Sequence, residues 1–451
     1  MFIYKLKIKQ SIYKNLKQYK IGKGNNSELV LNVMKTRKNW SQQQQAGQEC
    51  KFIWQSVSSQ IKFQQINNTF VNHFEFHKQI TTKNNLIKNL ESFAKFNSLY
   101  IYDITPLTYC INPESSQFQQ VFEEFLNLYQ SKSTFPFSQK HESSQKIGYC
   151  QPKYPQSLFS GKNVWIIKPA DFNRGCGIKL FSSLKQLINI LLADNKKYLE
   201  RQFIIQKYIE QPLLINERKF DLRIWVMLTD IRKKEDRNNF QLYIFKEGYI
   251  RTSSEKFDIS SEKLNDLIIH LTNNAIQKTD QRYQKFEQGN QLSYDQLDQN
   301  LKINFRQNIM PKIKEIISFT IDSVKNKINF NNRINSFEIF GYDFVIDKYF
   351  NPWLIEINTN PCIEESSSLL KQLIPRMLDD AFKIAIDPYF CGKKLEDGKQ
   401  YFKVKKYKDD ENMWYFFINY YFFIKKIKIK RELQQNLITY PLLKYKKQNN
   451  F

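Results

Sequence analysis

Histidine and paired cysteine are the first things this sequence is short of. Its 451 residues hold four histidines and six cysteines, the latter scattered at positions 50, 110, 150, 176, 362 and 391 with no C-x-x-C pair. That scatter argues against a Cys/His zinc site and reads as a reduced, cytosolic chain rather than a disulfide framework. Long apolar runs are missing too. The best candidate, MWYFFINYYFFI at 413–424, is interrupted by Asn419 and falls short of the ~20 residues a bilayer requires. Lysines at 5, 7, 9, 14, 17 and 20 break up any signal-peptide core. No internal repeat is present, and the chain is expected to be soluble, with no membrane partner.

Acidic residues are the scarce charge: Asp and Glu number 44 against 69 Lys and Arg, a net +25. The excess sits at the ends. Residues 1–40 carry ten basic and one acidic side chain, residues 401–451 twelve and four, and the middle is only mildly basic. Such a surface favours an acidic partner, whether nucleic acid, a membrane surface or an acidic peptide. Heavy use of Lys, Asn, Ile, Phe and Tyr fits equally well with a compositional bias in the gene. No nucleic-acid-binding motif accompanies the charge, so nucleic acid is not the expected partner.

What is present is a folded chain, 41% hydrophobic and 15% aromatic, long enough for two or three domains. GKGNNS at 22–27 lacks the GxxxxGK[ST] spacing of a phosphate loop and reads as a tight turn. SQQQQAGQ at 41–48 is a polar low-complexity loop. Phe118, Phe122, Phe125 and Tyr129 recur at helical spacing and are assigned to core. Residues 131–162, rich in Ser, Gln, Lys and Pro, read as a linker or mobile loop. Beyond it NVWIIKP, QFIIQKYI, KFDLRIWVML and QLYIFKEGYIRT read as strands. SSLKQLINILL reads as a helix, with Leu184, Leu187, Ile188 and Leu191 on one face and Ser182 or Ser183 as cap. FEIFGYDFVID and PWLIEIN predict an antiparallel pair joined through KYFN, followed by a helix around SLLKQLIPRMLDDAFKIAI.

Three stretches carry chemistry. In VWIIKPADFNRGCGIKLF, Lys168 ends an apolar strand and a Gly-x-Gly turn with Arg174 follows. Glycines let backbone N–H groups approach phosphate oxygens, and flanking cations add charge. A protein kinase would place its glycine loop before the strand lysine, the reverse of this order. In KFDLRIWV, Lys219, Asp221 and Arg223 share one strand face, opposite Phe220, Leu222, Ile224 and Val226. In PWLIEIN, strict alternation puts Leu354, Glu356 and Asn358 on one face and Trp353, Ile355 and Ile357 on the other. A carboxylate on a covered face needs a cation or strong donors. With Asp343 on the neighbouring strand, Glu356 and Asn358 make a set of hard oxygen ligands of the kind Mg²⁺ takes, its shell completed by phosphates and water.

The ordered blocks WIIKP, NRGCGI, IIQKYIEQPLLI, KFDLRIWV, GYIRTSS, HLTNNAIQK, FEIFGYDFVID and WLIEINTNP resemble the tubulin-tyrosine ligase-like family, carboxylate–amine ligases of the ATP-grasp group. The resemblance runs from about Tyr19 to Pro388. It implies an α/β (α+β) ATP-grasp fold, with the nucleotide held between two mixed or antiparallel sheets. The implied layout is an N-terminal α/β domain (1–130), a linker (131–162), a central subdomain (163–270), a C-terminal subdomain with the metal site (271–395) and a basic tail outside the fold (396–451). By that resemblance Lys168 would hold the ATP phosphates, and Arg174, Gly175, Cys176, Gly177 and Ile178 would form the flexible loop over them. Gln206, Lys207, Tyr208 and Ile209 would be the hinge against adenine, Lys219 and Asp221 would contact the nucleoside, and Thr272 and Asn273 would add contacts nearby. The catalytic set would be Arg223, Arg251 and Glu356, the two arginines facing the γ-phosphate and an acyl-phosphate. Arg251, Asn274 and Lys278 would meet the incoming amino acid, and Asp343, Glu356 and Asn358 would bind Mg²⁺.

The implied activity is ATP-dependent phosphorylation of a protein-tail carboxylate, then attack by the amine of a free amino acid to leave an amide or isopeptide bond. The family's protein substrates are acidic tubulin tails, which suits the basic ends of this chain. A monomer in the cytoplasm and cytoskeleton is expected, with cilium or basal body as further sites. Some features depart from the pattern: Cys176 replaces a basic loop residue common in relatives, and LTNNAIQK lacks the Tyr-Ser pair of glutamate-adding members. Its Asn-Asn resembles glycine-adding members, whereas YQKFEQGNQLSYDQL at 283–297 resembles the tyrosine-adding type. Glycine ranks first, because Asn274, Ala275 and Lys278 offer one amide, one small residue and one cation, with none left for a side-chain carboxylate. The competing readings are a catalytically silent microtubule-binding relative and, more remotely, a basic nucleic-acid-binding protein.

Overall fold

The computed structural model describes residues 16–43, 49–66, 68–133, 159, 161–170, 172, 175–193, 198, 200–230, 240–390 and 400–417. The N-terminal part contributes strand β1 (Lys17–Ile21), helix α1 (Ser27–Lys35) and strands β2 (Trp40–Gln42), β3 (Phe52–Trp54) and β4 (Phe70–Val71). Helix α2 (Lys83–Phe96), strand β5 (Thr108–Ile111) and helix α3 (Phe118–Ser133) lead to β6 (Trp165–Pro169), β7 (Lys179–Phe181), helix α4 (Leu184–Ala193) and β8 (Phe203–Lys207). After these come β9 (Leu214–Ile215), the long pair β10 (Arg218–Asp230) and β11 (Gln241–Lys256), and β12 (Gln291–Leu292). Helix α5 (Met310–Val324), β13 (Ser336–Ile346), β14 (Pro352–Thr359), helix α6 (Ser368–Ala385) and β15 (Trp414–Phe416) complete the order.

These strands form two sheets. The larger runs β12-β11-β10-β13-β4-β3-β1-β2, with β14 on β13, β15 on β11 and β9 on β10; the smaller, β5-β8-β6-β7, is antiparallel. This is the α/β, two-sheet architecture expected. The boundary drawn at residue 130 does not separate two sheets, however. Strands β3 and β4 continue the large sheet in parallel, while β5 joins the small one by pairing with β8.

Side-chain alternation along β10 decides what each face of the large sheet meets. Phe220, Leu222, Ile224, Val226 and Leu228 enter one core with Leu86, Ile87 and Leu90 of α2 and Ile313, Ile317 and Ile321 of α5. On the other face Trp225 and Met227 enter a second core with Val30 and Val33 of α1 and Leu373, Ile374 and Met377 of α6. Each such fully buried side chain contributes about 1.5–3 kcal/mol. Helix α6 presents Leu370, Leu373, Ile374, Met377 and Ala381 at helical spacing, and Ser367 caps it by accepting the Leu370 N–H at 3.2 Å. At the start of β10, Lys219 and Asp221 line a cleft shared with the small sheet, and Arg223 is bonded to Asp343 of the neighbouring strand.

Three readings are corrected. Register slips between Asp343 and Phe344, where Glu356 pairs with Asp343 but Leu354 with Phe344. A bulge at Ile355 therefore interrupts the alternation. Leu354 and Ile357 both enter the first core, while Ile355 and Glu356 both line the cleft. On α4 the cap is Ser183, one of the two serines expected, accepting the Gln186 N–H at 3.2 Å; the expected apolar face is not fully buried. Leu187 is buried there, but Ile188 is 53% exposed. The aromatic spacing on α3 does serve the core: Phe125 and Tyr129 are buried, with Phe118 and Phe122 packed beside them.

The third correction concerns the tail. Residues 400–417 are part of the fold, although the whole of 396–451 was set outside it; 418–451 lie outside the described residues. β15 pairs with β11, and Met413 and Trp414 are buried in the second core. The Trp414 indole donates to the Met377 carbonyl at 2.9 Å. Arg376, fully buried beside Asp380 at 2.7 Å, donates to the carbonyls of Phe402, Lys408 and Glu411. Ending the chain at Gln400 would strand that guanidinium and empty the tryptophan's place. The expected loss is at least about 3–5 kcal/mol, or outright failure to fold. A urea midpoint equal to that of the full chain would refute this. No described helix is long and apolar enough to cross a membrane.

Candidate active site

A cleft lies between the two sheets, with residues of both in its lining. Ile166 and Ile178 on the small-sheet side, Val345 and Ile355 on the large sheet, and Ile209 and Leu271 form its apolar part; Lys83, Lys168, Lys219, Arg251, Asp221, Asp343 and Glu356 form its charged part. Such a division suits a ligand with a flat apolar ring at one end and several negative charges at the other.

The charged part is a buried ladder. β10 and β11 set Asp221 opposite Arg251, and β10 and β13 set Arg223 opposite Asp343. Arg251 grips Asp221 with two bonds of 2.6 Å, and the Thr272 hydroxyl donates to the same carboxylate at 2.5 Å. Arg223 holds Asp343 at 2.5 and 3.1 Å, and Arg251 reaches Asp343 at 2.9 Å. Burial pushes the Asp343 carboxyl up, but the two arginines outweigh it and hold it down at about 2. Burial likewise disfavours charge on Arg251, yet Asp221 and Asp343 keep it well above the ordinary arginine range. Asp343 and the two arginines therefore stay ionised across physiological pH.

The lysines are different. Lys168, at the end of β6, donates to the Gln206 side-chain oxygen at 2.8 Å, and Gln206 is fixed in turn by donating to the Thr108 hydroxyl at 2.9 Å. Burial pulls Lys168 down to about 8, against the attraction of Glu356. Lys219 donates to the Tyr208 hydroxyl at 3.0 Å and to the His270 carbonyl at 2.8 Å. Burial takes it to about 7, opposed by Asp221. Burial, helped by Lys219, pushes His270 down to about 4, so it is neutral near pH 7. The proton order follows. Lys219 donates to Tyr208, Tyr208 donates to His270 Nδ1 at 3.1 Å, and His270 Nε2–H donates to the Lys263 carbonyl at 3.0 Å. Two amines are thus ready to take up protons when an anion arrives.

The metal question turns on Asp343, Glu356 and Asn358. Asp343 and Glu356 are direct cross-strand partners, with Asn358 opposite Gly341. Cross-strand Cβ atoms lie about 4.5–5.5 Å apart, close enough to share a cation. The Asn358 amide now donates to Asp343 at 3.2 Å and to Glu356 at 3.1 Å; a half-turn of that amide presents its oxygen instead. Two carboxylates and one amide oxygen suit Mg²⁺. Among the described residues no group of three His, Cys, Asp or Glu side chains offers an alternative metal site.

Not every residue anticipated from sequence lines the cleft. Gly175, Ile178, Gln206, Lys207, Tyr208, Ile209, Thr272 and Asn273 do. The Lys207 amine itself turns to the Val164 carbonyl at 2.8 Å and to Glu210. Cys176 is exposed, and Gly177 accepts a bond from the Tyr198 hydroxyl. Arg223 and Asn358 stand behind the lining, bonded to Asp343. Arg174 lies outside the described residues. Asn274 and Lys278 are turned elsewhere: Asn274 accepts from the Tyr283 hydroxyl at 2.7 Å, and Lys278, well exposed, pairs with Glu364 at 2.6 Å. Lys83 was missed. It opens α2, where a cation opposes the helix dipole, and it lines the cleft while donating to the Phe172 carbonyl at 2.8 Å. That unfavourable placement was the available signal.

Residues 59–393 match the Tubulin-tyrosine ligase family. Tubulin glycylase 3D of Tetrahymena thermophila is 40% identical over 247 residues, 53% of this chain and 22% of that protein. Protein monoglycylase TTLL8 of Homo sapiens is 34% identical over 247 residues, 52% of this chain and 27% of that protein. Probable alpha-tubulin polyglutamylase Ttll1 of Tetrahymena thermophila is 27% identical over 339 residues, covering 70% and 71% of the two chains. The match to each of the first two spans roughly a quarter of the relative's length.

Proposed function

The chain belongs to the tubulin-tyrosine ligase family, and from that premise we propose that its cleft binds Mg-ATP and joins a free amino acid to a carboxylate of an acidic protein tail, tubulin's above all. The observation that carries this is the buried ladder Arg251–Asp221 and Arg223–Asp343, set beside Lys168, Lys219 and Glu356 between the two sheets. Family ligases are ATP-dependent. Bound Mg-ATP would supply a transferable phosphoryl group and a divalent cation beside Asp343, Glu356 and Asn358. The chain's own residues do the rest. Lys168 and Lys219 offset phosphate charge, and the arginines, fixed by their carboxylates, aim donors without reorganising. Glycine is the favoured amino acid, supported by the glycylase names of two of these relatives. A site on the cytoskeleton follows from a tubulin substrate, with cilium or basal body proposed as further sites.

Binding itself has a signature. At pH 8 Lys219 is largely neutral in the free protein and Lys168 about half so. Polyphosphate favours their charged forms, so binding takes up protons. Calorimetric titration with Mg-ATP at pH 8, repeated in buffers of different ionisation enthalpy, is expected to show uptake of about one proton, shrinking as pH falls to 6. No binding heat would refute the assignment of the cleft.

A further inference from the structure

No residue of the GKGNNS turn lines the cleft, and residues 17–56 lie before the stretch that matches the family. Even so, the turn reaches the metal strand. Asn25 and Asn26 are consecutive non-glycine residues with φ of 44° and 53°, a left-handed conformation that asparagine tolerates better than other side chains. From that conformation both amides point at the segment leaving β14. Asn25 donates to the Asn360 side-chain oxygen at 2.7 Å and to the Asn360 and Pro361 carbonyls at 3.4 and 3.0 Å. Asn26 donates to the Ile363 carbonyl at 3.0 Å. Asn360 in turn donates to the Ser56 carbonyl at the exit of β3, and the Ser56 hydroxyl fastens the turn by donating to the Lys23 carbonyl at 2.8 Å. The other flank of the strand end is held as well. Thr359 donates to buried Glu338, which also accepts the Phe74 N–H and a His73 ring nitrogen, each at 2.9 Å.

The geometry points to Asn25 and Asn26 as positioning residues for the metal strand: they fix the backbone two to five residues beyond Asn358, and so set where Glu356 and Asn358 stand against Asp343. Four amide contacts, to the carbonyls of residues 360, 361 and 363 and to the Asn360 side chain, hold the strand end beyond β14's own pairing, whose last partner is Thr359 opposite Phe340. A metal site needs its ligands held to about 0.5 Å by such outer contacts. Gly341 shows how close the fit is: a Cβ there would stand 3.0 Å from Pro361 and 3.1 Å from Arg223. The inference rests on the reading of the cleft as a Mg-nucleotide site.

The test removes the amides and keeps the turn. Asn25→Gly/Asn26→Gly leaves the left-handed backbone permitted. Binding of the non-hydrolysable nucleotide AMP-PNP is measured in EDTA, and Mn²⁺ binding to the AMP-PNP complex is followed by electron paramagnetic resonance. The expected result is nucleotide affinity in EDTA equal to the parent, with the Mn²⁺ concentration for half-saturation raised about 10–100-fold and a broadened signal. Equal Mn²⁺ affinity in variant and parent overturns the inference. So does a parallel loss of nucleotide affinity in EDTA, which would mark general damage. A parent that binds no Mn²⁺–AMP-PNP fails earlier, and takes down the reading of the cleft itself. If the double variant does not fold, Asn25→Gly alone removes three of the four contacts and is expected to shift Mn²⁺ binding in the same direction.

Discussion

Glu356→Gln is expected to lower amino-acid ligation by at least about a hundredfold while leaving the thermal transition of the free protein within a degree or two. The side chain keeps its shape and its contact with Asn358 but loses the charge a divalent cation needs. Removing that charge costs Lys168 the attraction of a nearby carboxylate but breaks no hydrogen bond: among the described residues, the one that reaches Glu356 comes from Asn358 at 3.1 Å. The same change at Asp343 would strip a carboxylate from two buried arginines and cost stability as well. Comparing the two variants by activity and by melting separates a metal role from a structural one. Activity in Glu356→Gln equal to the parent would remove the metal assignment.

Lys168→Met is expected to act in opposite directions on binding and on folding. Burial has pulled Lys168 down to about 8, so holding a charge there costs the fold. A thioether of similar length relieves that cost and leaves only the Gln206 oxygen without its donor. The free protein is expected to gain about 1–2 kcal/mol. The gain should be greatest below about pH 8, where the native amine is charged. It should fade as pH rises into the ordinary lysine range, where the unfolded chain loses its proton as well. Nucleotide affinity is expected to fall about tenfold or more, since a charge-assisted phosphate contact is lost. Loss of stability together with loss of binding would mean that Lys168 belongs to the core rather than to a ligand site.

Much of this arrangement was legible in the chain because it rests on strand periodicity. Lys219, Asp221 and Arg223 alternate with Phe220, Leu222 and Ile224, and an uninterrupted strand must place them on opposite faces. PWLIEIN read less well for a local reason: a bulge at Ile355 costs one residue of register, and nothing in an apolar strand announces it. Pairing between distant segments was hidden altogether. That Arg251 would bond Asp221 and Asp343 depends on β11 and β13 flanking β10, and residue order alone does not fix those neighbours. The tail misled because Trp414, Tyr415 and Phe416 sit among lysines. Their partners are β11, along which all three pair, and the Met377 carbonyl that Trp414 reaches, and no spacing rule connects either to them. Asn25 and Asn26 read as a tight turn, as they are, but what a turn grips is a tertiary fact.

The most direct test of the central claim is mass spectrometry of tubulin tails after incubation with the full chain, Mg-ATP and each isotopically labelled amino acid in turn. Labelled glycine appearing on tail glutamates, dependent on ATP and absent with Glu356→Gln, is the predicted result. Incorporation of glutamate or tyrosine in its place would overturn the choice of amino acid and leave the ligase chemistry standing. No incorporation of any amino acid by a folded, Mg-ATP-binding protein would contradict the claim that this cleft is a ligase site for tubulin.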